Sequence, residues 1–130
     1  MSDVTAKFFA HFRNKFSGPI VCEPRHLTWF SPHAEQLLID FQIAHAAVDP
    51  AISPRVRTPG GWDGVSYYRL HGSPKMYYSN YSDEFLSELN SKLQRHAEYS
   101  DVWCIFDNTA EFHATANALT LLHLSRALLP

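Results

Sequence analysis

The chain has 130 residues, a length that suits one domain with one hydrophobic core. Hydrophobic residues make up 45% of it and aromatic residues 14%, which excludes a wholly disordered chain. The formal net charge is −2, so the sequence lacks the overall basic character that polyanion binding favours. Cys22 and Cys104 lie in apolar runs without metal-type spacing, and we predict reduced core thiols in a cytoplasmic protein. We expect no membrane segment, because no apolar run approaches membrane-spanning length.

The first half of the chain predicts two helices and two strands. Residues 3–16 form an amphipathic helix with one apolar stripe at a spacing of four: Val4, Phe8, Phe12 and Phe16. A strand over residues 20–23 follows, and a Ser-Pro pair then opens a helix over residues 31–42. Residues 43–48 predict a second strand, ended by Asp-Pro. Residues 51–64 are rich in proline and glycine, which indicates a long loop.

The second half continues the alternation. It predicts a strand over residues 67–70, a tyrosine-rich loop over 72–82 and a helix over 83–99. A last strand over residues 102–106 leads to a helix over 111–128. Alternating units of this kind form a parallel sheet with helices outside it, so we predict an α/β fold.

Each predicted strand ends in polar side chains, which is the most informative feature of the sequence. Sites of parallel α/β folds lie at the carboxyl ends of their strands, where the loops converge. We therefore expect a functional site at this edge, built from side chains on all four strands: Glu23, Arg25 and His26; Asp49; Arg69 and His71; Asp107 and Asn108.

These residue types favour acid–base chemistry on an anionic small molecule. His71 is the most plausible proton-transfer group of the chain, and Glu23 is a candidate general base. Arg25 and Arg69 are suited to bind a carboxylate or phosphate group. The alternative is structural: an internal ion pair, and a histidine tethered to a neighbouring carbonyl.

A divalent metal ion is a further possibility at the same edge. Mixed nitrogen and oxygen ligands would hold it, although no His or Cys spacing specifies such a site. Strand-end and helix-cap roles explain Asp49 and Asn108 equally well. The sequence names neither a metal nor a cofactor, and the possible ligands are Glu23, His26, Asp49, His71, Asp107 and Asn108.

The tyrosine-rich loop supports a second hypothesis. Tyr77, Tyr78 and Tyr81, with Lys75, resemble the aromatic and cationic sets that stack on bases and contact phosphates. Nucleic-acid binding or processing is therefore an alternative function, while packing of the loop explains the tyrosines equally well. Tyr78, Tyr81 and Asn117, early in the last helix, are candidate substrate-binding residues. The other histidines are predicted to be surface or core residues: His11, His33, His45, His96, His113 and His123.

Five segments together resemble a known family in order and spacing. They are residues 22–30 (CEPRHLTWF), 67–74 (YYRLHGSP), 77–81 (YYSNY), 106–110 (FDNTA) and 116–118 (ANA). They resemble the YecE-like family, also called domain of unknown function 72. The resemblance implies a TIM-like (β/α)8 barrel whose activity is uncharacterised.

The resemblance covers only the C-terminal half of that barrel. A (β/α)8 barrel takes roughly 250 residues, so we expect residues 1–130 to form one partial domain of four parallel β/α units. Four strands cannot close a barrel, and open strand edges are templates for pairing. We therefore expect a homodimer or a partner half-barrel. A third hypothesis follows, in which the chain is an inactive half-barrel that acts as an assembly module.

Overall fold

The computed structural model describes residues 3–127 and has a mixed α/β fold. Two short 3₁₀ helices, Leu27–Phe30 and Pro54–Arg57, accompany the regular elements. Those elements alternate along the chain as α1 (Asp3–Lys15), β1 (Ile20–Cys22), α2 (Pro32–Asp40), β2 (Ile43–His45), β3 (Ala47–Asp49), β4 (Gly60–Gly61), β5 (Val65–Leu70), α3 (Asp83–Ala97), β6 (Asp101–Phe106) and α4 (His113–Arg126).

The strands form two three-stranded sheets, ordered β1-β2-β4 and β3-β5-β6. All pairs are parallel except β2 with β4, as the sequence predicted for an α/β fold. The predicted single strand over residues 43–48 is wrong in one respect. It is interrupted at Ala46, because its first half pairs with β1 and its second half pairs with β5. The sheets do not close, and within the described residues β1 and β6 each lie at a sheet edge.

The predicted elements are present, with ends that differ by at most two residues. The predicted end of the last helix, residue 128, lies outside the described residues. The long loop over residues 51–64 contains more structure than the sequence indicated. Pro54 begins a 3₁₀ helix, and Gly61, at a φ of 69°, lets β4 turn back onto β2.

Helix α1 packs against the core through Phe9 and not through the predicted apolar stripe. Phe9 is 6% exposed, and its ring lies 6.2 Å from that of Trp29 and 5.9 Å from that of Phe41. The predicted stripe faces solvent instead, with all four members more than 40% exposed: Val4, Phe8, Phe12 and Phe16. The helix therefore leaves an apolar face without a partner in this part of the chain.

The largest core cluster lies between β5 and the two C-terminal helices. Leu86 of α3 and Leu121 of α4 pack there against Tyr68. Cys104 joins this cluster, and Cys22 joins the cluster around α1. Both cysteines are free and partly buried, and each packs against a core cluster as the sequence predicted. Burial raises the pKa of each thiol to about 12.

The opposite face of the sheets is open and apolar. Alternate residues of β5 and β6 point to it, because side chains alternate along a strand. They line a cleft of about 390 Å³ together with Pro19 and Val21. Trp103 is 57% exposed there and Ile105 37%. No helix within residues 3–127 has the length and apolar character needed to cross a membrane.

Candidate functional site

Three strand ends bring charged side chains into contact above the open face of the sheets. The parallel ladder continues one residue past the strands and fixes these positions, because His71 N–H donates to Asp49 O at 2.8 Å and Asp107 N–H donates to Leu70 O at 2.7 Å. Glu23 follows β1 directly. We call the resulting group the strand-end cluster: Glu23, Arg25, Arg69, His71 and Asp107.

Glu23 is the centre of this cluster. Its Oε1 lies 2.7 Å from Arg25 Nη2 and 3.5 Å from His71 Nε2, and its Oε2 accepts from Arg69 Nη1 at 3.0 Å. One carboxylate therefore contacts both arginines and the histidine that the sequence predicted for the site.

Asp107 is the second carboxylate, and its Oδ2 binds two partners. Arg69 Nη2 donates to it at 3.0 Å, and His71 Nδ1 lies 2.9 Å away. An ionised carboxylate only accepts, so Nδ1 carries the proton and Nε2 faces Glu23. Burial lowers the pKa of the Arg69 guanidinium, but its hydrogen bonds and ion pairs with Asp107 and Glu23 outweigh that effect and raise the pKa.

Exposure decreases steadily across the cluster from solvent to core. The side chain of Arg25 is 68% exposed, that of Glu23 17% and that of His71 only 4%. The side chains of Arg69 and Asp107 are 38% and 29% exposed. An incoming molecule therefore meets both arginines and Asp107 before it meets Glu23. His71 is the most buried of these side chains, and its Nε2 faces the Glu23 carboxylate.

Tyr77 covers the imidazole of His71, a position that sequence reasoning did not assign to it. The two rings meet edge to face, with centroids 5.7 Å apart. Tyr77 has a φ of 69°, in the left-handed region that non-glycine residues seldom adopt. Its backbone bonds to His71 O and to Ala110 N–H hold it there. The sequence carried no signal for this conformation, since the three loop tyrosines look alike.

Asp49 and Tyr81, both predicted to bind substrate, form part of the support of the cluster. The Tyr81 hydroxyl donates to Asp49 Oδ2 at 2.8 Å and accepts from Gly72 N–H at 2.8 Å. Tyr81 is 4% exposed, and its ring stacks on Phe85. Burial and the bond to Asp49 raise the pKa of its phenol. The pair fixes the glycine turn that follows His71.

Asn108 and Asn117 hold the tyrosine-rich loop in the same way. Asn108 Nδ2 donates to Asn117 Oδ1 at 2.8 Å and to Ser79 O at 3.0 Å. Asn117 in turn bonds the backbone of Tyr81 and the side chain of Asn80. Asn108 Oδ1 is buried without a partner in the described structure. Asn117 thus reaches back toward the strand ends, as predicted.

His26 and Tyr78 lie apart from the charged contacts. His26 Nδ1 accepts from Thr28 N–H at 3.3 Å and caps the 3₁₀ helix that follows. Tyr78 is 42% exposed, with Lys75 Nζ 3.9 Å from its ring centroid. Neither makes a hydrogen bond or ion pair with the strand-end cluster within residues 3–127.

The possible metal ligands do not come together as a metal site. Across residues 3–127, no group of three or more His, Cys, Asp or Glu side chains has an arrangement that could hold a metal ion. Arg69 occupies the space between the two carboxylates instead. The cluster is held by ion pairs among its own side chains.

The fold and the cluster define an α/β protein with a polar site at the ends of parallel strands. The sequence profile of the family described as "Protein of unknown function DUF72" matches residues 2–128. The chain therefore belongs to the DUF72 family, which confirms the resemblance stated from its motifs. No curated protein matches it.

Solved structures of DUF72 family proteins share the fold. One from Enterococcus faecalis V583 is 17% identical, with a TM-score of 0.75 over 100% of this chain and 56% of that one. One from Thermotoga maritima MSB8 is 21% identical, with a TM-score of 0.71 over 97% of this chain and 53% of that one. The chain thus spans little more than half the length of these relatives.

Proposed function

We propose that the strand-end cluster is an acid–base site for a small anionic molecule of the phosphate type. One observation carries the proposal: Glu23 contacts Arg25, Arg69 and His71 at once. A carboxylate beside a histidine is suited to transfer a proton, and a guanidinium beside it is suited to bind an anion.

The two arginines have different roles in this proposal. Arg69 bonds to both Glu23 and Asp107, so its charge is matched by carboxylates and it positions them. Arg25 contacts Glu23 through Nη2 alone and is mostly exposed, which leaves most of its donors free for a ligand. Arg25 is therefore the anion-binding group.

Proton transfer in the cluster runs through Glu23. Asp107 accepts from Nδ1 of His71, so the lone pair of Nε2 points toward Glu23 at 3.5 Å. A proton that Glu23 takes from a bound molecule has His71 as its next acceptor. Asp107 stabilises the imidazolium that would form, because it is the charged partner of the other ring nitrogen.

Isothermal titration calorimetry with inorganic phosphate and with glycerol phosphate tests the site. We expect Arg25→Ala to weaken binding about 10- to 100-fold, the range of one charge-assisted contact. Arg57→Ala is the matched control, since Arg57 lies on the 3₁₀ helix outside the cluster, and it should leave binding unchanged. Equal effects of the two variants, or absence of phosphate binding, would contradict the proposal.

A second candidate function, that of an assembly module, is favoured by the open face of the sheets. We propose that the chain is half of a barrel and pairs with a second copy of itself. Its accessible surface is 8209 Å², whereas a compact monomer of 14.9 kDa exposes roughly 7,000 Å². The excess of roughly 1,200 Å² per chain is what one partner of a large interface buries. Two-fold rotation would place β6 of each copy beside β1 of the other, which pairs these two edge strands.

Light scattering coupled to size-exclusion chromatography measures this directly. We expect a mass near twice 14.9 kDa. Trp103→Asp should reduce it to the monomer, because the charge would lie in the apolar cleft. Tyr99→Asp is the control, since Tyr99 is 63% exposed and lies outside that cleft. A stable monomer, or a dimer that both variants leave intact, would overturn the pairing.

A further inference from the structure

A cavity with both polar and apolar walls lies on the helix-facing side of the sheet. It has a volume of about 290 Å³ and lies between the first turn of α2 and the segment over residues 53–60. It shares no residue with the strand-end cluster. We call it the outer cavity and define it by its main lining residues: Phe30, Pro32, Glu35, His45, Arg55 and Pro59.

His45 lines the outer cavity without a close hydrogen-bond partner. Its side chain is only 5% exposed. Nδ1 lies 3.5 Å from Ala46 O, and Nε2 lies 3.6 Å from Glu35 Oε2, both longer than an ordinary hydrogen bond. Buried polar side chains normally have a partner at bonding distance. His45 therefore has no hydrogen bond of ordinary length, and its Nε2 faces the Glu35 carboxylate at the edge of the cavity.

Glu35 and Arg55 bring opposite charges to the same cavity but do not pair with each other. Glu35 Oε1 accepts from Gly61 N–H at 2.6 Å, which leaves Oε2 free of any hydrogen bond. Arg55 Nη1 donates to Phe30 O at 2.7 Å, which leaves its Nε and Nη2 fork free. Within residues 3–127 no salt bridge joins the two. Backbone hydrogen bonds thus hold both charged groups in place, and each group keeps atoms that can bind a ligand.

Gly60 forms one wall of the cavity with its backbone. A Cβ at this position would lie 2.2 Å from His45 Nε2 and 2.9 Å from Glu35 Oε1. The absent side chain lets the backbone come close to both polar groups. The remaining walls, Phe30, Pro32 and Pro59, are apolar.

We propose that the outer cavity binds a zwitterionic α-amino acid with an apolar side chain. The free fork of Arg55 matches a carboxylate, and Glu35, with His45 beside it, matches an ammonium group. The apolar walls accommodate the side chain. The volume lies at the lower end of small-molecule sites, which suits a molecule of this size.

Calorimetric titration with L-leucine and two matched analogues tests the ligand class. 4-Methylpentanoate keeps the carboxylate and lacks the ammonium group, and 3-methylbutylamine keeps the ammonium group and lacks the carboxylate. We expect leucine to bind and each analogue to bind about 10-fold or more weakly, because each leaves one charged group of the protein unpaired. Analogues that bind as well as leucine, or absence of leucine binding at about 20 mM, would overturn the proposal.

Two variants then locate the binding. Arg55→Ala should abolish the leucine signal, whereas Arg57→Ala, two positions along the same 3₁₀ helix and absent from the cavity lining, should keep it. Glu35→Gln keeps an acceptor for Gly61 N–H and should remove the preference for leucine over 4-methylpentanoate. Amide spectra verify that each variant is folded. Leucine binding that these changes leave unaltered, with the fold intact, would place the ligand elsewhere and contradict the proposal.

Discussion

The two strand-end histidines, His71 and His45, are equally buried but differ in the partner of their Nδ1 atoms. The side chain of His71 is 4% exposed and that of His45 5%. His71 has a carboxylate at bonding distance on Nδ1 and a second one facing Nε2. His45 also has a carboxylate facing Nε2, that of Glu35 at 3.6 Å, but it has none at bonding distance on Nδ1, and it lines a cavity. Burial alone therefore does not define a histidine's role, and the groups around the ring decide it.

The strand-end cluster and the outer cavity also differ in whether their charged groups are paired without a ligand. In the strand-end cluster both carboxylates are paired with an arginine, so the cluster is stable without a ligand, while most donors of Arg25 stay open to one. The outer cavity holds one carboxylate and one guanidinium that do not meet. A ligand would make additional contacts at the strand-end cluster, whereas in the outer cavity it would pair the two charged groups. The predictions that follow test this contrast.

The largest expected loss of stability follows from replacing the carboxylate that binds Nδ1 of His71. Asp107→Asn weakens the acceptor of both Arg69 and the buried imidazole, and we expect a loss of about 2–3 kcal/mol in the free energy of unfolding. Glu35→Gln, at a side chain 37% exposed, should cost less than about 1 kcal/mol. Urea denaturation of both variants measures the difference. Equal losses would remove the contrast between the two histidines.

A smaller effect is expected for the support of the glycine turn after His71. Tyr81→Phe removes a hydroxyl that bonds both Asp49 and Gly72 N–H, and we expect a loss of about 1–2 kcal/mol. Tyr78→Phe is the matched control and should stay within about 0.5 kcal/mol, since Tyr78 is exposed. Thermal unfolding of the pair gives the result. A larger cost for Tyr78→Phe would mean that the loop is held by its outer tyrosine.

The smallest effect concerns a third histidine, bound by a serine. His96 Nδ1 lies 2.9 Å from Ser66 Oγ, and burial, with the nearby charge of Arg95, lowers the pKa of His96. The unfolded chain binds a proton at this residue near pH 6.5 and the folded chain only at lower pH. Stability present above about pH 6.5 should therefore be lost as the pH falls through the folded pKa.

A pH series of denaturation midpoints for wild type, His96→Gln and the exposed-site control His123→Gln measures this. His96→Gln should flatten the decline below about pH 6.5, and His123→Gln should not. Identical profiles for all three proteins would assign the acid sensitivity to other groups.

Much of the strand-end cluster could be predicted from the sequence, for a physical reason. Side chains alternate along a strand, so Arg69 and His71 had to leave β5 on one face, and parallel strands end at one edge. The sequence therefore identified the charged residues at this edge. It did not predict their contacts, because Arg69 bonds two carboxylates on neighbouring strands and the sequence does not specify which side chains pair across strands.

The outer cavity could not be predicted, because its parts are distant in sequence. Glu35 looks like an ordinary residue in the first turn of a helix, and His45 looks like a core residue in mid-strand. The cavity forms between them only because β4 returns to pair with β2 and brings Gly60 beside His45. That short strand lies in a segment whose proline and glycine content indicated only a loop. Similarly, the apolar stripe of α1 was the expected buried face of that helix, but the helix buries Phe9 instead.

Ring-nitrogen NMR of the ¹⁵N-labelled histidines during a phosphate titration would show whether Glu23 and His71 form an acid–base site. We expect that Nδ1 of His71 carries a proton and that the His71 resonances shift to saturation as phosphate binds beside Glu23. The His45 resonances should stay constant, since the outer cavity is separate. A His71 signal that phosphate does not move, or one with Nδ1 unprotonated, would contradict an acid–base site centred on Glu23.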